Sequence, residues 1–221
     1  VGCSAGAIVG ALWAARVGSA RMEVMAQGID FTTLGNPSLP WRAFMHNRRL
    51  ERLVDDAVGG RPIERLPIRF AAVATALDDG RRVTLDRGPT GAAVAASSAI
   101  PVVYEPVRLG GRELVDGSLS APVPVDAARA LGAHIVLAVD VAYRPDEAPA
   151  RHIVDMAFQT LHILVNALGA EQLLRADRAL RLSLHELMLQ HDAPLRALVD
   201  AGRQAMLAKA PTLLQLLQPP K

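Results

Sequence analysis

The chain has 221 residues, 51% of them hydrophobic, enough for one large core or two small ones. Its 24 basic and 22 acidic residues leave a formal net charge of +2, too even for the basic footprint of a nucleic-acid-binding protein. A single cysteine, Cys3, excludes an intramolecular disulfide framework and a cysteine-based metal site, and fits a reducing compartment.

The chain opens on Gly2-Cys3-Ser4-Ala5-Gly6, a G-x-S-x-G pattern running into a helix-compatible segment. In a nucleophile elbow, serine sits on a sharp strand-to-helix turn with its hydroxyl clear of the backbone. The turn is expected to leave no space for a side chain at Gly2 or Gly6. A helix starting at Ala5 then aims its free N–H groups at the place where an oxyanion develops. Ala7, Gly10, Ala11, Ala14 and Ala15 permit close approach to a sheet, and Ile8, Leu12 and Trp13 read as a buried stripe. Cys3 is the poorer nucleophile, since the glycines bracket Ser4. The uncharged run over residues 1–15 is shorter than the ~18–20 residues a membrane span needs, so the chain reads as soluble and cytoplasmic, at most membrane-peripheral.

A second helix is expected over Ala20–Gln27, capped by Ser19, then a loop over Asp30–Pro40. Trp41, Phe44, Met45, Leu50, Leu53 and Val54 alternate with Arg42, Arg48, Arg49 and Arg52. This reads as an amphipathic helix with a solvated arginine face, ahead of an element resting on anionic lipid. Gly59-Gly60 ends it. Ile68–Leu77 is expected as a strand buried on both faces, turning at Asp78-Asp79-Gly80 into a partner strand over Arg81–Asp86. A small-residue helix over Thr90–Ile100 stops at Pro101. Val107–Leu109 and Glu113–Val115 flank Gly110-Gly111 as a hairpin, and Asp116-Gly117-Ser118 follows directly. A short helix over Val125–Leu131, a fully buried strand over His134–Val141 and a largely helical remainder punctuated by Pro194 and Pro211 complete the chain. Strand and helix in alternation argue for α/β.

Serine needs a base within hydrogen-bond reach. None of the six histidines (His46, His134, His152, His162, His185, His191) sits at a strand end followed by a loop. Asp116 follows a hairpin strand and precedes a glycine that lets the backbone turn. Asp78, Asp79, Asp86 and Asp140 have equally ordinary settings, so residue pattern alone leaves the acid open.

Four motifs in order resolve it by resemblance: the elbow segment over residues 2–12, Ser97-Ser98-Ala99-Ile100-Pro101, Val115-Asp116-Gly117-Ser118, and the stretch from Pro122 to Ala133. Together they resemble the bacterial patatin-like phospholipase family, densely over residues 1–142. The resemblance implies a three-layer α/β/α fold with a mostly parallel sheet. It implies one hydrolase domain over residues 1–221, with its core in 1–142 and a helical part in 150–221. It assigns Ser4 as nucleophile and Asp116 as base of a Ser–Asp dyad, with Gly2, Ala5, Gly6 and Gly117 as backbone positions of the site. The implied reaction is hydrolysis of a lipid or phospholipid acyl ester through an acyl-enzyme, with no metal and no cofactor. Two departures stand out. Ser118 replaces the family's glycine or alanine, and neither Gly59-Gly60 nor Gly110-Gly111 matches its Gly-rich oxyanion loop. The chain therefore reads as an N-terminally truncated member, inactive as it stands. The competing readings are a non-catalytic domain of the same fold that binds lipid or a partner protein, and a serine hydrolase with a histidine base.

Overall fold

A computed structural model describes residues 1–27, 36–37, 45–141, 152–182 and 195–216. These divide into two compact units, Val1–Ala127 and Ala128–Lys221. The loop expected over Asp30–Pro40 falls mostly outside the described residues, as do Trp41, Phe44, His185, His191 and Pro194.

The first unit is built on β4 (Ala72–Ala76), in which every residue is buried. Small side chains let other backbones approach it from all sides. One edge pairs antiparallel with β5 (Arg82–Leu85) through the Asp-Asp-Gly turn. The other edge is shared by two strands. β1 (Gly2–Cys3) runs parallel along Ala72 and Val73, and β7 (Arg112–Asp116) runs antiparallel along Ala74, Thr75 and Ala76. β6 (Val107–Leu109) closes the sheet as the hairpin partner of β7. The α/β class is as expected, but the sheet is mixed rather than mostly parallel, with β1–β4 its parallel pair. The two glycine-marked turns explain this, because tight turns join strands only antiparallel.

Helices cover β4 on both faces. Ala72 packs with α1 (Ala5–Ala14), α3 (Arg48–Val58) and α4 (Thr90–Ser97) in one apolar cluster. Val73, on the opposite face, packs against Ala121 and Ala127, the latter in α5 (Val125–Ala130). In α1 the small residues Ala7, Ala11 and Ala14 are buried with Ile8 and Leu12, whereas Trp13 is 61% exposed and is no part of the stripe. α2 (Ser19–Gln27) is the expected helix, with Ser19 as its first residue rather than its cap. The amphipathic stretch splits: Met45–His46 form β3, paired with Asn36–Pro37 (β2), and the helix begins at Arg48. Leu50, Val54 and Val58 face inward, and Gly59, at φ 69°, ends the helix in the left-handed conformation.

α3 and α4 lie antiparallel in close contact. Asn47 Nδ2 donates to Ala95 O at 2.9 Å, and Gly91 N donates to Asp55 Oδ1 at 2.7 Å. A Cβ at Gly91 would fall 2.6 Å from the Asp55 carboxyl carbon, so the crossing requires glycine there.

In the second unit, β8 (Leu137–Asp140) pairs in parallel with β9 (Arg178–Arg181). Leu137 and Val139 face outward while Ala138 and Asp140 are buried, so this strand is not the fully buried one its composition suggested. A two-stranded sheet leaves one face open. Asp177 anchors the pair, accepting from Val136 N at 2.7 Å and Arg129 Nη2 at 2.5 Å. α6 (Ile153–Leu173) and α7 (Leu195–Leu216) bear out the helical reading, β9 interrupts it, and Pro211 lies inside α7 rather than ending it.

Candidate active site

Ser4 stands between β1 and α1 at φ 51° and ψ −120°, outside the regions a non-glycine residue ordinarily occupies. Such a conformation costs roughly 1–3 kcal/mol and persists only where the surroundings over-determine it. Two constraints do so here. A Cβ at Gly2 would lie 2.6 Å from Ala7 Cα and closer still to the Gly6 carbonyl, so the chain folds back on itself through space that only glycine leaves. And Ser97 Oγ, fully buried, accepts from Ser4 N at 3.0 Å while donating to Val73 O at 2.6 Å. The hydroxyl extends the β1–β4 ladder by one rung where β1 turns away.

Gly6 is different. A Cβ there meets nothing within 4 Å, so the expectation that both bracketing positions need glycine holds for Gly2 alone. The crowding is against Gly6's backbone, not at its Cα. Ala5 and Gly6 supply first-turn N–H groups, which no helical carbonyl takes up.

Asp116 ends β7. Its partner on β4 is Ala74, and the partner of Cys3 is Val73, so the residue after Cys3 and the carboxylate meet above consecutive positions of one strand. The Ser4 side chain is close enough to favour the charged form of that carboxylate. Asp116 N donates to Ala99 O at 2.9 Å, so the end of α4 holds both halves of the pair, Ser4 through Ser97 and Asp116 through Ala99. Gly117 is required by space rather than by turn geometry: its φ is not positive, and a Cβ would lie 2.8 Å from Val73 C and 3.1 Å from Cys3 Sγ.

Asp116 is 2% exposed, and burial pushes its carboxyl above the usual carboxylate range. The Ser118 N–H, at 2.8 Å, the Ser118 side chain and the Ser4 side chain all act the other way, stabilising the anion. Ser118, which the sequence marked only as a departure, thus contributes two of the three groups that stabilise the anion. On balance Asp116 has more affinity for a proton than a solvated aspartate. Cys3 Sγ lies 4.0 Å from Asp116 Oδ1, and burial followed by the nearby Asp116 charge pushes its thiol pKa well up. It is a poor nucleophile.

The competing acids are engaged elsewhere. Asp78 and Asp79 bind Arg112, Asp86 lies 3.4 Å from Arg87, and Asp140 lies 3.2 Å from Arg181. Of the histidines, His46 pairs with Glu105 at 2.9 Å and His152 precedes α6. Gly59-Gly60 closes α3 and Gly110-Gly111 turns β6 into β7. Among the described residues no three His, Cys, Asp or Glu side chains gather as a metal centre would require. No helix among them is long and apolar enough to cross a membrane. Ser97 is the residue sequence reasoning left without a role. Its motif was visible, but its two bonds join segments 93 and 24 residues away.

A serine at positive φ on a strand–helix turn, beside a buried carboxylate, has the backbone geometry that a nucleophile elbow requires. The chain belongs to the patatin-like phospholipase family, whose model matches residues 1–129, more than half of the chain and close to the end of the first unit. It is 36% identical over 146 residues to uncharacterized NTE family proteins of Mycobacterium bovis and Mycobacterium tuberculosis, an alignment covering 63% of this chain and 39% of theirs. A second uncharacterized NTE family protein of Mycobacterium bovis is 33% identical over 129 residues, 57% of this chain and 22% of its own length. The chain thus spans well under half the length of these relatives.

Proposed function

We propose that the chain carries the nucleophile and base of a lipid acyl-ester hydrolase, with Ser4 attacking and Asp116 moving the proton. What supports this is the placement of Ser4, held at positive φ on the turn into α1, beside a buried carboxylate of raised proton affinity. Ser4 Oγ adds to the ester carbonyl carbon as its proton passes to Asp116. The carbonyl oxygen becomes an oxyanion facing the open N–H groups at the start of α1. Collapse breaks the bond to the alcohol, which takes the proton back from Asp116 and leaves an acyl-Ser4. Water, deprotonated by Asp116, then adds to the acyl carbon, and collapse releases the fatty acid and restores Ser4.

Labelling by a fluorophosphonate probe tests this, on the chain and on any longer form expressed from its gene. Labelling lost in Ser4→Ala and strongly slowed in Asp116→Asn supports the dyad. Undiminished labelling in Asp116→Asn would remove Asp116 as base. No labelling of any folded form would favour a non-catalytic lipid- or protein-binding domain.

A further inference from the structure

The arginine-rich stretch at the start of α3 has a place in the fold that the reaction does not use. A cavity of about 500 Å³ opens between α2 and α3, rimmed by Arg21, Arg49, Arg52 and Asp56 and floored by Met25 and Leu53. Three guanidinium groups against one carboxylate leave the rim at +2. Arg21 and Arg52 have no hydrogen bond or ion pair among the described residues, unlike Arg112, Arg129 and Arg181, which are tied to carboxylates. The floor is apolar and continuous with the core, since Met25 and Leu53 pack against the cluster that holds α1.

The cleft is also placed usefully. Asn47, just before α3, is bonded to Ala95, two residues before the Ser97 that holds Ser4. The arginine-bearing start of α3 therefore lies beside the end of α4 that organises the reacting pair.

We propose that this cleft docks the headgroup of an anionic phospholipid and so rests the protein on a negatively charged membrane surface. Guanidinium forks match phosphate oxygens in bidentate geometry. The apolar floor has nothing to offer a free phosphate ion but suits the glycerol and upper acyl carbons of a lipid. The choice of a lipid surface rests on the hydrolase reading above; the charge and shape of the cleft do not.

Vesicle co-sedimentation of the Ser4→Ala protein tests the proposal without hydrolysis. Phosphatidylcholine vesicles with and without phosphatidylglycerol would be compared at low and high salt. The expected result is binding to the anionic vesicles only, weakened by salt. Arg21→Gln/Arg52→Gln should weaken it by about 30-fold, on the scale of two surface-bound arginines. Arg65→Gln/Arg82→Gln, which removes the same charge from exposed positions that do not line the cleft, should change it far less. Equal losses in the two double variants, or no binding to anionic vesicles, would overturn the proposal. So would binding of soluble glycerol phosphate that the cleft variant loses, with no binding to vesicles. Because Ser4 labelling is read separately, a failed docking test leaves the dyad standing, and a failed labelling test leaves the docking result standing.

Discussion

Replacing each bracketing glycine of the elbow by alanine separates two positions that the G-x-S-x-G pattern treats alike. At Gly2 the new Cβ would sit 2.6 Å from Ala7 Cα. An ordinary carbon–carbon contact needs about 3.5–4.0 Å, so β1 or the first turn of α1 must retreat by about 1 Å. Both partners are backbone, and β1 is pinned to β4, so no flexible side chain absorbs the strain. Overpacking of this kind costs about 1–3 kcal/mol, and backbone neighbours put it at the upper end. At Gly6 the new Cβ meets nothing within 4 Å, and alanine in a helix is favoured over glycine by about 0.5–1 kcal/mol. The two variants should therefore differ by about 1.5–4 kcal/mol with opposite signs relative to the parent. Urea unfolding followed by circular dichroism reads this directly, with Gly2→Ala shifted to lower and Gly6→Ala to higher midpoint. Equal destabilisation by both, or a neutral Gly2→Ala, would refute the reasoning.

Ser97→Ala removes the acceptor of Ser4 N–H, a part-buried bond, and the donor to Val73 O, a buried one. It should destabilise the fold by about 1–3 kcal/mol and slow fluorophosphonate labelling beyond what partial unfolding explains. Asp116→Asn should be more stable than the parent at neutral pH. Burial raises the carboxyl pKa in the folded state, so ionising Asp116 opposes folding. Its contribution is most favourable below the unfolded carboxylate range and is lost as pH rises through the folded pKa. The advantage of Asn should close in acid, and urea midpoints measured across pH would show it. Labelling of Ser4 should fall as pH drops through that same raised pKa, which a pH–rate profile would locate. Cys3 should resist iodoacetamide in the folded chain at pH 8 and react on addition of urea, since burial and Asp116 hold its thiol protonated.

What was legible in sequence was mostly local. Asp78-Asp79-Gly80 and Gly110-Gly111 announced two hairpins, because those turns need residues that few other positions tolerate. Asp116 could be singled out only by resemblance: nothing local distinguishes it from Asp78 or Asp86, and its burial is made by β4, Ala99 and Ser118 together. Trp13 misled because its helical spacing fits a buried stripe that the structure fills with alanines instead. The strand Arg178–Arg181 lacks β-branched residues and alternation, and takes its form from pairing with Leu137–Asp140. Gly117 was assigned for turning when it serves for closeness, a difference only a neighbour 44 residues away in sequence can reveal.

The shared edge of β4 also bears on the order in which the molecule assembles. The hairpins that flank it close over short loops, whereas Gly2 reaches Ala72 across 70 residues and Asp116 reaches Ala74 across 42. Loop-closure entropy makes the distant pairings late events, after the local ones have begun to form. During synthesis Ser4 precedes β7 and has no Asp116 beside it until that strand has been made and docked. On the proposed dyad, competence for chemistry would coincide with completion of the sheet.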